Sequence, residues 1–318
     1  MSQQGNEKTY TPVRITTIKA NREVNFPVFI HFKNVYLEYL KSGSQIESDK
    51  YKKLRKQKIT KFYIQSSDEK TYQSFLDSFL EETLNSKEVS VEEKSELVTA
   101  QTETAIDRMK DDPGSEESYD MTRKAAKNLQ RLIFENPESL NNVFGAEGDS
   151  DAIVKHSINV AALSIKFAKT QKVEEEDIDF LSTAALMHDV GVLKMEENHQ
   201  ELFNKPRNEL TIEDKKVYYD HCKGVVKHLA DKPYINDKVI ELIECHEETL
   251  QGSGPLQKMK LTKPQEILAL VNCYDKKIIT NKISPNDALK EMMIDELGNY
   301  NLDLLKDFKV FLKKEGVV

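Results

Sequence analysis

The first quarter of the chain alternates like strands and then repeats like helices. Val13, Ile15 and Thr17 occupy alternate positions, as do Phe26, Val28, Ile30 and Phe32, and Ala20-Asn21-Arg22-Glu23 supplies a turn between the two runs. Pro27 cannot donate to a ladder, which places the second strand at a sheet edge. A helical stretch from Val35 to Leu40, a basic helix started by Ser48 and a short strand from Ile59 to Ile64 follow. Tyr72, Phe75, Leu76, Phe79 and Leu80 then mark an amphipathic helix. None of these elements carries recognisable chemistry.

From Glu82 to Glu96 the pattern turns acidic and polar, as in a linker or a solvated connecting helix. Everything periodic beyond it is helical. Val98, Ala105 and Met109 precede a break at Asp111-Asp112-Pro113-Gly114, and Met121, Ala125, Leu129, Leu132 and Ile133 form a stripe that ends before Pro137. Thr211 with Asp214, and Ser284-Pro285 with Asp287, are capping-box-like helix starts, and Gly298 closes the helix that Ser284 begins. The expectation is an α+β chain: a small α/β domain over residues 1–95, with a linker at roughly 82–95, and an all-α bundle over residues 96–318. No internal repeat or low-complexity tract interrupts it.

Composition narrows the class. With 318 residues and 38% hydrophobic content, the chain can bury the cores of two modest domains. No apolar run approaches the roughly 20 residues of a membrane span, and residues 1–8 lack the apolar segment of a secretory signal, so a cytoplasmic protein is expected. Cys222, Cys245 and Cys273 form no disulfide framework. A net charge of −8 argues against a partner that is a nucleic-acid polymer. The local exception is Lys50 to Lys61, with six lysines and Arg55, read as a solvated helix face around Leu54.

The chemistry lies in the bundle. His156 opens a segment that is apolar on most sides, and His188-Asp189 ends the buried run Leu181 to Leu186. His221 falls on the stripe of Val217 and Val225, and His246 on that of Leu242 and Ile243. Any one of these histidines is more often a hydrogen-bonded core residue than a ligand. Four helices that each aim an imidazole inward are how bundles build metal sites, and a carboxylate such as Asp189 can bridge two ions. His31, His199 and His228 fall outside the set.

These motifs resemble a known family. His156-Ser157, Ala185-Leu186-Met187-His188-Asp189-Val190-Gly191, Asp220-His221-Cys222-Lys223-Gly224, and Glu244-Cys245-His246-Glu247 followed by Gly252-Ser253-Gly254-Pro255 are similar, in order, to the motifs of HD-GYP domains. Those form the cyclic-di-GMP phosphodiesterase branch of the HD superfamily, and the resemblance covers about residues 150 to 312. It implies a divalent metal, iron or manganese, held by His156, His188, Asp189, His221 and His246. Cys245 and Asn272 stand at two further ligand positions, and Cys245 makes zinc an option. His188 and Asp189 would carry the catalysis; Gly252, Ser253, Gly254, Pro255 and Lys194 would contact the nucleotide.

The departures matter as much. Cys245 replaces a family histidine, Asn272 an aspartate, Val192 the phosphate-contacting lysine and Ala152 the glutamate of a third metal; the tyrosine before Pro255 is missing. A neutral amide holds a cation less strongly than a carboxylate, and a lost lysine removes charge that stabilises a transition state. The preferred reading is therefore a binding or regulatory module of cyclic-di-GMP signalling with a partly eroded metal site, which could even be metal-free. An active phosphodiesterase is the alternative, and an HD hydrolase acting on another nucleotide the weaker one. Protein partners through the N-terminal domain and a homodimer stay open.

Overall fold

The structure, a computed structural model, describes residues 9–145 and 151–318; the reading of residues 1–8 lies outside them. The chain is α+β and divides into two compact units at Thr104/Ala105.

The first unit contains β1 (Tyr10–Arg14), β2 (Glu23–Val24), β3 (Val28–Phe32), β4 (Val35–Leu40), β5 (Ser44–Gln45), α1 (Ser48–Lys56), β6 (Lys61–Gln65) and α2 (Glu69–Asn85). β1, β6, β3 and β4 pair antiparallel in that order, and β2 pairs with β5. Val13, Val24, Phe26, Phe62 and Ile64 are buried, as are Tyr72, Leu76 and Leu80 of α2. On α1 only Leu54 is buried.

Four sequence expectations change here. Val35–Leu40 is a strand, not a helix: Lys33 and Asn34 both adopt positive φ, +47° and +62°, and close a two-residue hairpin that pairs Phe32 with Val35. Pro27 does not mark an edge, because β3 lies between β6 and β4; the proline sits one residue before the strand, where no ladder donor is needed. The first alternating run stops at Arg14, since Ile15–Thr17 form a 3-10 turn in which the Thr17 hydroxyl donates to Arg14 O at 2.7 Å. An irregularity between Val28 and Phe29 also shifts the phase of β3, so both are buried while Phe32 is 57% exposed.

The acidic stretch resolves into the end of α2, a short connection and the first turns of α3 (Val91–Asp111), which stops where Asp112-Pro113-Gly114 break it. The second unit then contains α4 (Glu116–Glu135), α5 (Ser139–Val143), α6 (Ala152–Thr170), α7 (Glu175–Met187), α8 (Glu197–Gln200), α9 (Ile212–Gly224), α10 (Val226–Leu229), α11 (Asp237–Cys245), α12 (Lys263–Asn281), α13 (Pro285–Asp295) and α14 (Leu302–Lys314). α6 is its axis, packed against α4, α5, α7, α12 and α14. That explains its nearly continuous apolar sequence, which a helix half-open to water would not have.

Helix starts follow local chemistry. Thr211 Oγ1 accepts from Asp214 N at 3.0 Å while Asp214 Oδ2 accepts from Thr211 N at 3.2 Å, and Ser284 caps α13 with Pro285 in its first turn. α13 ends at Asp295, three residues before Gly298, whose φ of +87° forms the following turn. No helix among the described residues is long and apolar enough to cross a membrane.

Candidate metal centre

Four helices deliver their imidazoles to one buried point. His156 lies in the second turn of α6, His188 and Asp189 follow the last turn of α7, His221 is near the end of α9, and His246 follows α11. All five are at most 1% exposed. Gly191 is required by the close approach of the turn after α7 to α9: a Cβ there would lie 2.1 Å from His221 O.

The ring orientations are set from behind. His188 Nδ1 donates to Ala185 O at 2.7 Å and His246 Nδ1 to Ile243 O at 2.5 Å; His221 Nδ1 donates to Tyr218 O. Each takes the carbonyl three residues back in its own helix. His156 Nδ1 reaches Asp275 Oδ2 at 2.6 Å, and Asp275 Oδ1 accepts from Asn159. With Nδ1–H committed, every Nε2 presents a lone pair to the centre, the arrangement that outer hydrogen bonds impose on metal-binding histidines.

Those lone pairs converge on other acceptors. Asp189 Oδ2 lies 3.3 Å from Nε2 of both His156 and His188, and Oδ1 lies 3.3 Å from His221 Nε2 and 3.4 Å from His246 Nε2. Within each pair the nitrogens are 3.2 Å apart (His156, His188) and 2.9 Å apart (His221, His246). Neither carboxylate oxygen has a hydrogen-bond partner. Buried acceptors facing acceptors are costly unless a cation lies between them. The donor set therefore fits two divalent ions sharing Asp189.

Asn272, on α12, joins the His156 pair. Its Nδ2 donates to His246 O at 3.2 Å and Glu247 Oε1 at 3.1 Å, which leaves Oδ1 facing His156 Nε2 at 2.9 Å. Asp275 holds the back of the His156 ring.

Charge states agree with this geometry. Burial would raise the Asp189 carboxyl, but the imidazoles around it, His188 foremost and then His221 and His246, hold it well below the ordinary carboxylate range. Burial would lower His188, yet Asp189 outweighs it and raises the ring's pKa. Burial brings His246 down to about 4, so its ring is neutral at neutral pH.

The three cysteines separate. Cys245 is buried, but its thiol accepts from Lys258 Nζ at 3.4 Å, and it lies outside both groups of convergent ligands found among the described residues. Those groups are His156, His188, Asp189 and His221, Cys222, His246. Cys222 Sγ is 3.6 Å from His221 Nε2 and 4.0 Å from His246 Nε2. In the sequence, the one signal for Cys222 is its adjacency to His221.

The remaining positions spread out. Lys194 is exposed, and Val192 is 1% exposed in an apolar cluster with Ile153, Leu202, Phe203, Leu210 and Tyr218. The loop after His246 folds around Glu248, whose carboxylate accepts from Leu256 N and Lys258 N. Gly254 is essential to it, because a Cβ would lie 2.6 Å from Glu248 Cα and 2.7 Å from Glu247 O. Gly252 has φ +68°, Ser253 bonds Thr249, and Pro255 is half-buried.

A cleft of about 510 Å³ lies beside the centre, with Asn272 and Glu247 in its lining. Arg207, Lys215, Lys276 and Lys277 line it, with Glu247, Glu291, Asp295 and Glu296 opposing them; Ser253 is at its rim. Glu247 accepts from Tyr218 Oη at 2.7 Å and pairs with Arg207 at 3.0 Å; burial would raise this carboxyl, but the Arg207 guanidinium foremost, with Lys276, holds it well below its usual value. Lys276 Nζ donates to Tyr218 Oη at 2.6 Å and sits 3.3 Å from the Phe203 ring centroid. Neither Arg207 nor Lys276 carried a sequence signal.

A family model described as an HD domain matches residues 126–301, more than half of the chain. Among solved structures, the fold is similar to that of Bd1817, a HDG"Y"P protein from Bdellovibrio bacteriovorus, with a TM-score of 0.76 and 24% identity over 96% of this chain and 100% of that one. At that identity the likeness speaks for the fold. No curated protein matches the sequence.

Proposed function

The chain belongs to the HD domain family, and from that premise we propose a metal-dependent nucleotide site of cyclic-di-GMP signalling that works as a binding or regulatory module rather than an efficient hydrolase. The observation that carries this reading is the cleft beside the centre, in which four cationic side chains face four carboxylates. Such a lining has no net attraction for a dianionic dinucleotide. Two divalent ions on the Asp189 cluster would reverse the balance, so nucleotide binding follows metal loading. The buried ligands weigh on the same side: Asp189 and the four histidines are at most 1% exposed, leaving little open metal face for a reacting phosphate and its water.

The alternative, an active phosphodiesterase of the HD-GYP kind, is favoured by Lys276. When bound, divalent ions supply Lewis acidity and lower the pKa of water. The chain's own part would be to hold Asp189 ionised, to keep the four imidazoles aimed by their Nδ1 bonds, and to place the Lys276 ammonium against a phosphate oxygen. Lys276 projects from α12 onto Phe203, the ring that also packs with Val192, so it brings a cation to the region from which the family's lysine is missing.

Calorimetric titration of cyclic-di-GMP into metal-free and metal-loaded protein, with turnover followed in parallel, separates the two. The binding reading expects affinity only in the loaded protein and turnover far below the ~1 s⁻¹ lower end typical of enzymes. Binding to the metal-free protein, or no binding in either form, refutes it; turnover at enzyme rates that His188→Ala abolishes establishes the alternative.

A further inference from the structure

We infer that Cys222 is a metal ligand, so that the centre is asymmetric: one ion position is built from His221, His246, Asp189 Oδ1 and the Cys222 thiolate, the other from His156, His188, Asp189 Oδ2 and the Asn272 amide oxygen. The inference rests on the reading of the cluster as a metal centre and needs nothing of the nucleotide assignment.

The distances carry it. Zinc bonds of about 2.0–2.1 Å to imidazole, about 2.0–2.2 Å to carboxylate and about 2.3 Å to thiolate, in a tetrahedron, imply N···S edges of about 3.5 Å and N···N and N···O edges of about 3.3 Å. Here the N···S separations are 3.6 and 4.0 Å, the N···O separations 3.3 and 3.4 Å, and the N···N separation 2.9 Å. These five separations lie within about 0.5 Å of the corresponding edges of such a tetrahedron. The Cys222 thiol faces two nitrogens whose own protons are committed to the Tyr218 and Ile243 carbonyls; its single proton can serve only one of those lone pairs, whereas a cation would serve both and the sulfur as well. Asp189 Oδ1, fully buried and unpartnered, aims into the same space.

The two halves then differ in kind. Thiolate and imidazole suit zinc and other borderline-soft ions, whereas a carboxylate, an amide oxygen and two imidazoles suit manganese or iron(II). The sulfur half also carries one more formal negative charge, so it fills first. On binding, the Cys222 thiol gives up its proton to solvent as the sulfur–metal bond forms, and no redox change is involved.

Cobalt(II) is the probe. The full-length protein, stripped of metal and titrated anaerobically with cobalt(II), should develop a near-ultraviolet thiolate-to-cobalt charge-transfer band with the first equivalent, and no further increase with the second. Cys222→Ser should lose that band, keep visible ligand-field absorption, and bind zinc at least ~10-fold more weakly; Cys245→Ser and Cys273→Ser should keep it. Cobalt bound with ligand-field bands but no charge-transfer band, or a band that survives in Cys222→Ser, overturns the ligand assignment and leaves the metal centre standing. No cobalt uptake overturns both. Should Cys222→Ser not fold, X-ray absorption of the zinc-loaded wild type decides: one sulfur at about 2.3 Å on one of two zinc ions supports the assignment, and a shell of nitrogen and oxygen alone refutes it.

Discussion

Putting lysine back at position 192 looks like a repair of the motif, and the structure expects it to fail. Val192 is 1% exposed, packed in an apolar cluster with Phe203 and Tyr218, and the same two aromatic rings already receive the Lys276 ammonium, at 3.3 and 4.6 Å from their centroids. Val192→Lys therefore buries a second ammonium beside the first, in an apolar cluster that holds no carboxylate, and Glu247 is taken by Arg207, Tyr218 and Asn272. An uncompensated buried charge costs about 3–5 kcal/mol. At about 2–4 °C per kcal/mol for a unit of this size, thermal unfolding followed by circular dichroism should fall by about 6–20 °C. Replacing Lys276 with methionine in the same chain should recover part of that loss, because it removes the like-charge neighbour and keeps the packing. A Val192→Lys protein with wild-type melting and faster cyclic-di-GMP turnover would refute the reasoning, for it would mean that the side chain at 192 reaches the cleft.

Asn272→Asp should act in two directions. It adds a charged ligand beside His156 and so tightens manganese at least ~10-fold by equilibrium titration, yet it removes the donor to His246 O and sets a carboxylate against Glu247, so the metal-free form should melt lower than wild type. Gly191→Ala should shift the turn after α7 away from His221 and lower metal stoichiometry as well as stability, since a Cβ at 2.1 Å from a carbonyl oxygen cannot be accommodated without backbone movement. For pH, His246 is depressed to about 4, so its share of the metal-free protein's stability is complete above the unfolded value of about 6.5 and is lost between about 6.5 and about 4. His188 is raised, so its share is complete below about 6.5 and is lost as pH rises through its folded value. Melting temperature of the metal-free form should therefore peak near pH 6.5, and zinc should move the peak upward, because ligation needs every ring deprotonated; a metal-free profile still rising above pH 7.5 would contradict this.

Local signals were readable in the sequence wherever the cause was local. The caps at Thr211 and Ser284, the break after Asp111 and the all-round apolar character of α6 need only neighbours a few residues away. So does the inward phase of His156, His188, His221 and His246, which follows from the 3.6-residue period. Where a second, distant segment set the outcome, the sequence was silent or misled. Val35–Leu40 became a strand through a hairpin closed by two positive-φ residues, neither of them glycine, and β3 became interior by the order of pairing. Periodicity also placed His221 and Cys222 side by side without stating which of them, or whether Cys245, would meet His246. Only the packing of α9 against α11 brings the Cys222 sulfur to the two imidazoles while Cys245 turns to Lys258. The orientation of the Asn272 amide, the support of His156 by Asp275 and the cation that Lys276 carries to Phe203 were decided in the same way. A helix fixes the direction of its own side chains, but what they meet depends on the other helices packed around them.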